Sequence, residues 1–228
     1  MFIEFKEVKF HYTKYEESLD IKDLAFSSSG ITAIVGHTGS GKSTLVQHLN
    51  ALLVCQSGQV TVNEFIIKKK KRIDLYKLRK TVGLVFQFAE NQLFKETVET
   101  DILFGPKNFK IPIEQHEEIV VNSLKAVGLD LSYRTMSPFE MSGGEKRRAA
   151  IAGILAYSPS IIVFDEPTVG LDPSGIDLII DLIKQLHNTG HKIIVVTHDM
   201  DFLLQISDEV LVLNKGLVSF LGDTLQLF

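Results

Sequence analysis

Gly36-His37-Thr38-Gly39-Ser40-Gly41-Lys42-Ser43-Thr44 is the stretch whose reading decides the fold. It fits a glycine, four residues, then Gly-Lys-[Ser/Thr], the pattern of a phosphate-binding loop. Directly before it runs Ile31-Thr32-Ala33-Ile34-Val35, apolar and β-branched like a buried strand. Directly after it, Leu45, His48, Leu49 and Leu52 recur at helical spacing. Strand, loop and helix together are the context the motif requires. The glycines let the backbone curl until successive N–H groups converge on a phosphate. The helix starting near Lys42 adds the positive end of its dipole. In that arrangement Lys42 reaches the β- and γ-phosphates of a nucleotide and the Ser43 hydroxyl ligates Mg2+.

Outward from the loop, residues 2–10 and Leu19 to Phe26 read as strands separated by a polar turn from Thr13 to Ser18. Gln59 to Val62 and Phe65 to Ile67 form a hairpin around Asn63-Glu64. Val82 to Phe86, Ile161 to Phe164 and Lys192 to Val196 are short core strands. The pattern is helical from Glu96 to Tyr157, from Lys146 to Ala156, from Ile176 to Leu186 and from Asp201 to Ile206. Val210 to Leu213 and Leu217 to Leu221 close a final hairpin. Apolar strands alternating with helices predict a mostly parallel sheet covered on both faces. No internal repeat or Pro/Gly-rich linker divides the chain.

The chain's 228 residues, 45% hydrophobic and 23% charged, suit one large domain or a domain with a subdomain. A net charge of −4 gives no strong pull toward nucleic acid. No apolar run approaches the roughly 18 to 20 residues that span a bilayer, and Met1 to Lys6 lacks a signal-peptide pattern. A single cysteine, Cys55, excludes an internal disulfide and reads as a buried apolar residue. The run Lys68-Lys69-Lys70-Lys71-Arg72 could contact nucleic acid or lipid, but in an acidic chain without interleaved aromatics it reads as a solvated loop.

Further residues carry chemistry. Asp165-Glu166 closes the strand Ile161 to Phe164, at the carboxyl strand end where open α/β sheets place ligand chemistry. Asp165 would hold Mg2+, directly or through water, and Glu166 would polarise an attacking water. Met141-Ser142-Gly143-Gly144-Glu145 is a second glycine-rich turn opening a helix. It is either an ordinary cap or an anion site, and an anion site so far from the first in sequence points to a nucleotide shared between two chains. Gln87, His198 and Tyr12 stand at strand ends, where they could touch metal, water and base, or merely cap turns.

These residues, in this order, resemble an ATP-binding-cassette ATPase over essentially the whole length. Gly36 to Thr44 stand as the Walker A loop, Tyr12 as the aromatic before it, and Gln87 as the Q-loop. Ser142-Gly143-Gly144 stand as the signature, Phe164-Asp165-Glu166 as the Walker B strand end, Gly170-Leu171-Asp172 as the D-loop, and His198 as the switch histidine. More narrowly, Gln47 to Leu52, Val85-Phe86-Gln87-Phe88, Gln92-Leu93-Phe94, Phe104 to Phe109 and Ile151 to Ala156 resemble the ATP-binding A component of energy-coupling-factor transporters, importers of vitamins and metal ions. The resemblance implies an α/β P-loop NTPase fold. It consists of a RecA-like, mostly parallel core, an N-terminal antiparallel β subdomain and a helical subdomain of about residues 96–157 inserted in one domain over 1–228. It also implies ATP and Mg2+ as ligands, with Ser43, Gln87 and Asp165 around the metal. Ser142 to Gly144 would act across a dimer with an identical or related ATPase, and Asp172 would be the D-loop residue. Membrane coupling and substrate-binding subunits would complete the transporter, at the cytoplasmic face of the cell membrane and without nucleic acid.

The chain departs from the family's pattern at Met141, where Leu is usual, at Glu145, where Gln is usual, and at Ala89, where Pro is usual. Members often continue beyond a segment like Gly222-Asp223-Thr224, whereas this chain ends at Phe228, as a fragment or as a naturally short member. The rival readings are another transporter's ATPase, a soluble cassette switch, or an ATP-binding module without turnover. Intact Glu166 and His198 argue against the last. The apolar span Phe86 to Phe104 is expected to form a groove for a membrane subunit's helix.

Overall fold

The computed structural model describes residues 1–13 and 16–227. The predicted turn from Thr13 to Ser18 therefore falls partly outside the described residues. Strand β1 runs over Ile3–Thr13 and β2 over Glu16–Ala25, so Glu16 to Ser18 are strand rather than turn. β1 pairs antiparallel with β2 and with β4 (Ser57–Val62), which turns at Asn63 into β5 (Phe65–Ile67). Asn63 has φ 49°, a left-handed conformation that Asn tolerates in a tight hairpin. These four strands form one sheet in the order β2-β1-β4-β5.

The second sheet has the order β10-β9-β3-β8-β7-β6. It contains β3 (Ile31–Val35), β6 (Val82–Val85), β7 (Ile161–Asp165), β8 (Lys192–Val196), β9 (Glu209–Asn214) and β10 (Leu217–Asp223). All its pairings are parallel except β10 on β9, the end hairpin. Every residue of β3, β6, β7 and β8 is buried. The reason lies in the alternation of side chains. Ile162, Phe164, Ile193 and Val195 point into a cluster with the helices, whereas Ile161, Val163, Ile194 and Val196 point into a cluster with the antiparallel sheet. A strand with an apolar residue on each face is stable only when both faces are covered. The buried Cys55 belongs to the second cluster.

On the first face stand α3 (Val98–Ile102), α4 (Phe104–Asn108), α5 (His116–Ala126), α6 (Gly143–Leu155), α7 (Pro173–Asn188) and α8 (Met200–Ile206). On the second lies α1 (Lys42–Leu49), with Leu45, Val46 and Leu49 in the core. Several helices start earlier than periodicity predicts, because caps rather than apolar residues set their ends. α6 begins at Gly143, not Lys146, since Ser142 and Glu145 form a reciprocal capping box. α7 begins at Pro173, not Ile176, since the Asp172 carboxylate accepts from Gly175 N at 2.9 Å. α2 (Leu75–Thr81) has no apolar stripe to announce it. Asp74 caps it and only Leu78 is buried.

Candidate nucleotide site

The loop between β3 and α1 is held in its curl by its own geometry. Gly36 has φ 151°, and a Cβ there would lie 2.2 Å from Leu213 O on β9, so no larger residue fits. His37 ties the loop outward, with Nε2 3.1 Å from Asn214 Oδ1 and Nδ1 2.7 Å from Thr38 O. Lys42 Nζ spans the loop and donates to Gly36 O at 2.8 Å and His37 O at 3.2 Å. A phosphate at the loop centre would offer that ammonium a charged acceptor in place of two carbonyls. Ser40 Oγ is buried without a hydrogen-bond partner among the described residues.

Around this loop lies a cleft of about 390 Å³ lined by Tyr12, Ser18, Thr38 to Thr44, Gln87, Glu166 and His198. Residues 12, 36–44, 87, 166 and 198 are thus brought to one place from β1, β3, β6, β7 and β8. Gly36 and His37 shape the loop from behind rather than line the cleft. Tyr12 is 60% exposed, its hydroxyl 3.1 Å from Thr44 Oγ1, and its ring stands edge-on to Phe10. Phe10 in turn packs edge-on against His48 of α1, whose Nδ1 donates to Thr44 O at 2.7 Å. The aromatic at the cleft mouth is therefore braced by the same helix that ends the phosphate loop.

Glu166 has φ 50° and its N donates to Val196 O at 2.9 Å. This left-handed turn, which costs an ordinary residue about 1 kcal/mol, lifts the carboxylate off the strand line. Its Oε2 lies 2.8 Å from His198 Nδ1, and its side chain is 11% exposed against 69% for His198. Asp165 sits deeper. Burial pushes its carboxyl above the ordinary aspartate range, against the opposing pull of a Ser43 hydrogen bond. Its Oδ1 is buried with no hydrogen-bond partner among the described residues.

Ser142, Gly143, Gly144 and Asp172 lie outside the cleft. Ser142 N and Oγ both donate to Glu145 Oε2 at 2.8 Å, and Tyr133 Oη donates to Glu145 Oε1 at 2.5 Å. These bonds, Tyr133 first, hold the Glu145 carboxyl at about 2. Hydrogen bonds from Gly175 and Ser174 likewise hold the Asp172 carboxyl low.

Arg147 was not legible as a functional residue. Its guanidinium donates to both oxygens of Glu90 at 3.2 Å, to Pro167 O at 3.4 Å and to Val169 O. One buried side chain thereby joins the segment after Gln87, the helix after Ser142 and the turn after Glu166.

The apolar span 86–104 divides in two. Val98, Ile102 and Leu103 are core, at 0%, 0% and 6% exposure, while Phe88, Phe94 and Phe104 are exposed. Leu93, Phe94 and Phe104 join Phe109, Ile154 and Tyr157 around an apolar groove of about 310 Å³. The groove expected from the span is there only in part: Leu93, Phe94 and Phe104 line it, Phe86, Phe88, Val98, Ile102 and Leu103 do not, and α4 and α6 supply half its wall.

Fold and site together define a P-loop ATPase of the cassette type, and a family model described as ABC transporter matches residues 19–169: the chain belongs to that family. Within it, the chain is 48% identical over 235 residues to the energy-coupling factor transporter ATP-binding protein EcfA2 of Enterococcus faecalis, covering 100% of this chain and 81% of the relative. It is also 48% identical to the protein of the same name from Spiroplasma kunkelii, over 99% of this chain and 76% of the relative. Among solved structures, cbiO1 of Clostridium perfringens, part of the ABC transporter complex cbiONQ, superposes with a TM-score of 0.88 at 34% identity, over 99% of this chain and 90% of the other. The ATP-binding cassette MJ0796, dimeric and bound to ADP and Pi, gives a TM-score of 0.86 at 26% identity, over 97% and 98%. The chain is an ATP-binding, ATP-hydrolysing cassette. Among the described residues, no helix is long and apolar enough to cross a membrane.

Proposed function

We propose that this chain is the ATPase subunit that energises an energy-coupling-factor importer of vitamins or transition-metal ions, working at the cytoplasmic face of the membrane. The single observation that carries the chemistry is the convergence of Lys42, Glu166 and His198 on one cleft. The loop N–H groups and Lys42 bind the phosphates, and Tyr12 offers its ring to the base. Glu166 accepts a proton from the attacking water, and His198 orients that carboxylate and faces the γ-phosphate. The donor set suits a divalent cation: an oxygen of Asp165 left unpaired in a buried place, beside the Ser43 hydroxyl, with Gln87 at the cleft edge. Mg2+ held there would neutralise charge building on the β- and γ-phosphates.

Ser142 to Gly144 and Asp172 are assigned to a second cassette's nucleotide, since they lie away from this chain's own cleft. Two cassettes, identical or related, would close on two ATP molecules. The apolar groove at Leu93 would receive a helix of the membrane coupling subunit, and a separate membrane subunit would bind the transported molecule. The supporting relatives are named as transporter ATP-binding proteins. The test is co-expression with candidate membrane subunits, followed by co-purification and ATP-dependent uptake. Recovery of an active cassette in cytosol alone, with no membrane partner, would favour the soluble switch.

A further inference from the structure

We propose that residues 68–80 form a docking surface for anionic lipid headgroups, set beside the apolar groove. The segment holds eight of the chain's 24 Lys and Arg side chains against one acid, Asp74, in a protein whose net charge is −4. In sequence the run looks like a loop ending at Arg72. In the structure the run leads directly into α2, which is anchored by the fully buried Leu78, so the cations of loop and helix are contiguous along the chain. Lys68 to Arg72 are all exposed, and none of them is in an ion pair among the described residues. Of the helix cations, Lys77 makes a long, exposed pair with Asp74 at 3.8 Å and Arg79 Nε donates to Asn50 O at 3.4 Å.

Two further features select lipid. Leu75 and Tyr76 are 41% and 44% exposed amid the cations, so the face pairs positive charge with apolar tips, as interfacial surfaces do. A single-stranded nucleic acid would need a row of stacking rings, and Tyr76 is the one aromatic residue in 68–80. The Tyr76 ring is edge-packed on Phe109 at 5.4 Å, and that contact sets the location. Phe109 packs on Tyr157 at 4.8 Å, and both line the apolar groove, so the cationic face continues from the groove's wall. Acids elsewhere on the molecule are screened beyond about 8 Å at physiological salt, so local charge governs the contact.

The inference takes its purpose from the importer reading, but its test stands apart. The full chain is sedimented with phosphatidylcholine vesicles and with vesicles containing about one-third phosphatidylglycerol. Each near-surface cation is worth roughly a fivefold gain in partitioning. The protein should therefore bind the anionic vesicles and not the neutral ones, and release them near 1 M salt, where the screening length falls to about 3 Å. The variant K68Q/K69Q/K70Q/K71Q should lose roughly 600-fold in vesicle affinity, fivefold for each of four cations, while releasing phosphate from ATP at the parent rate. Equal binding to neutral vesicles, or unchanged binding by the variant, overturns the proposal. So does a variant whose only defect is lost co-purification with a membrane subunit, since the face would then read protein. Failure of the parent chain to bind anionic vesicles, beside intact uptake, sinks this inference alone and leaves the importer reading standing.

Discussion

His198 Nδ1 and Glu166 Oε2 lie 2.8 Å apart, bridging the carboxyl ends of the neighbouring strands β8 and β7. The histidine is the exposed partner and the glutamate the sheltered one. With Nδ1 donating to the carboxylate, Nε2 is left to meet the nucleotide. Removing the imidazole should therefore leave binding intact and misplace the base. His198→Ala is expected to lower phosphate release about 10- to 100-fold, with ATP affinity within a few-fold of the parent. Equilibrium nucleotide binding and steady-state phosphate release separate the two effects.

Arg147 should behave as a structural clamp. Deleting it leaves the Glu90 carboxylate and the carbonyls of Pro167 and Val169 without their donor. Arg147→Ala should cost about 2 kcal/mol or more of unfolding free energy in urea. Arg147→Lys should not restore it, because one ammonium cannot serve both carboxylate oxygens and the carbonyls.

Leu93 tests the groove. It is half-buried at the groove wall, whereas Val98 and Ile102 behind it are core. Leu93→Glu should lower ATP-dependent uptake at least tenfold while changing the melting temperature by only a few degrees, and leave basal hydrolysis near the parent level. A large loss of melting temperature would place Leu93 in the core and the docking site elsewhere.

His48 gives the fold a pH dependence. It is fully buried in α1, and desolvation holds its pKa below the ordinary 6.5. Above pH 6.5 neither state carries the proton and the contribution is complete. Below it the unfolded chain takes up a proton the folded chain resists, so stability falls as pH falls, by up to about 1.4 kcal/mol per pH unit. Urea midpoints at pH 7.5 and 5.5 should differ more in the parent than in His48→Gln.

The sequence carried the site further than it carried the scaffold around it. The phosphate loop was legible because its glycines are demanded by backbone geometry, as the 2.2 Å approach of Leu213 O to a Cβ at Gly36 illustrates. The core strands were legible because both faces are apolar. α2 was missed because it buries one side chain, and hydrophobic periodicity cannot register a helix with a single apolar anchor. Arg147 was missed because its partners Glu90, Pro167 and Val169 come from distant segments, and only the folded chain brings them together. The early start of α6 rests on a capping box of Ser142 and Glu145; the sequence offered a cap at this turn, but the apolar periodicity that set the helix start begins three residues later.

The central claim is that Glu166 turns over the ATP that the Lys42 loop binds. The most direct measurement compares Glu166→Gln with the parent for ATP affinity and phosphate release on the same preparation. The account predicts parent-like affinity, phosphate release lowered by about 100-fold or more, and an ATP-dependent dimer that persists in light scattering, in the presence of the partner cassette if the dimer is mixed. Parent-rate hydrolysis by Glu166→Gln would contradict it.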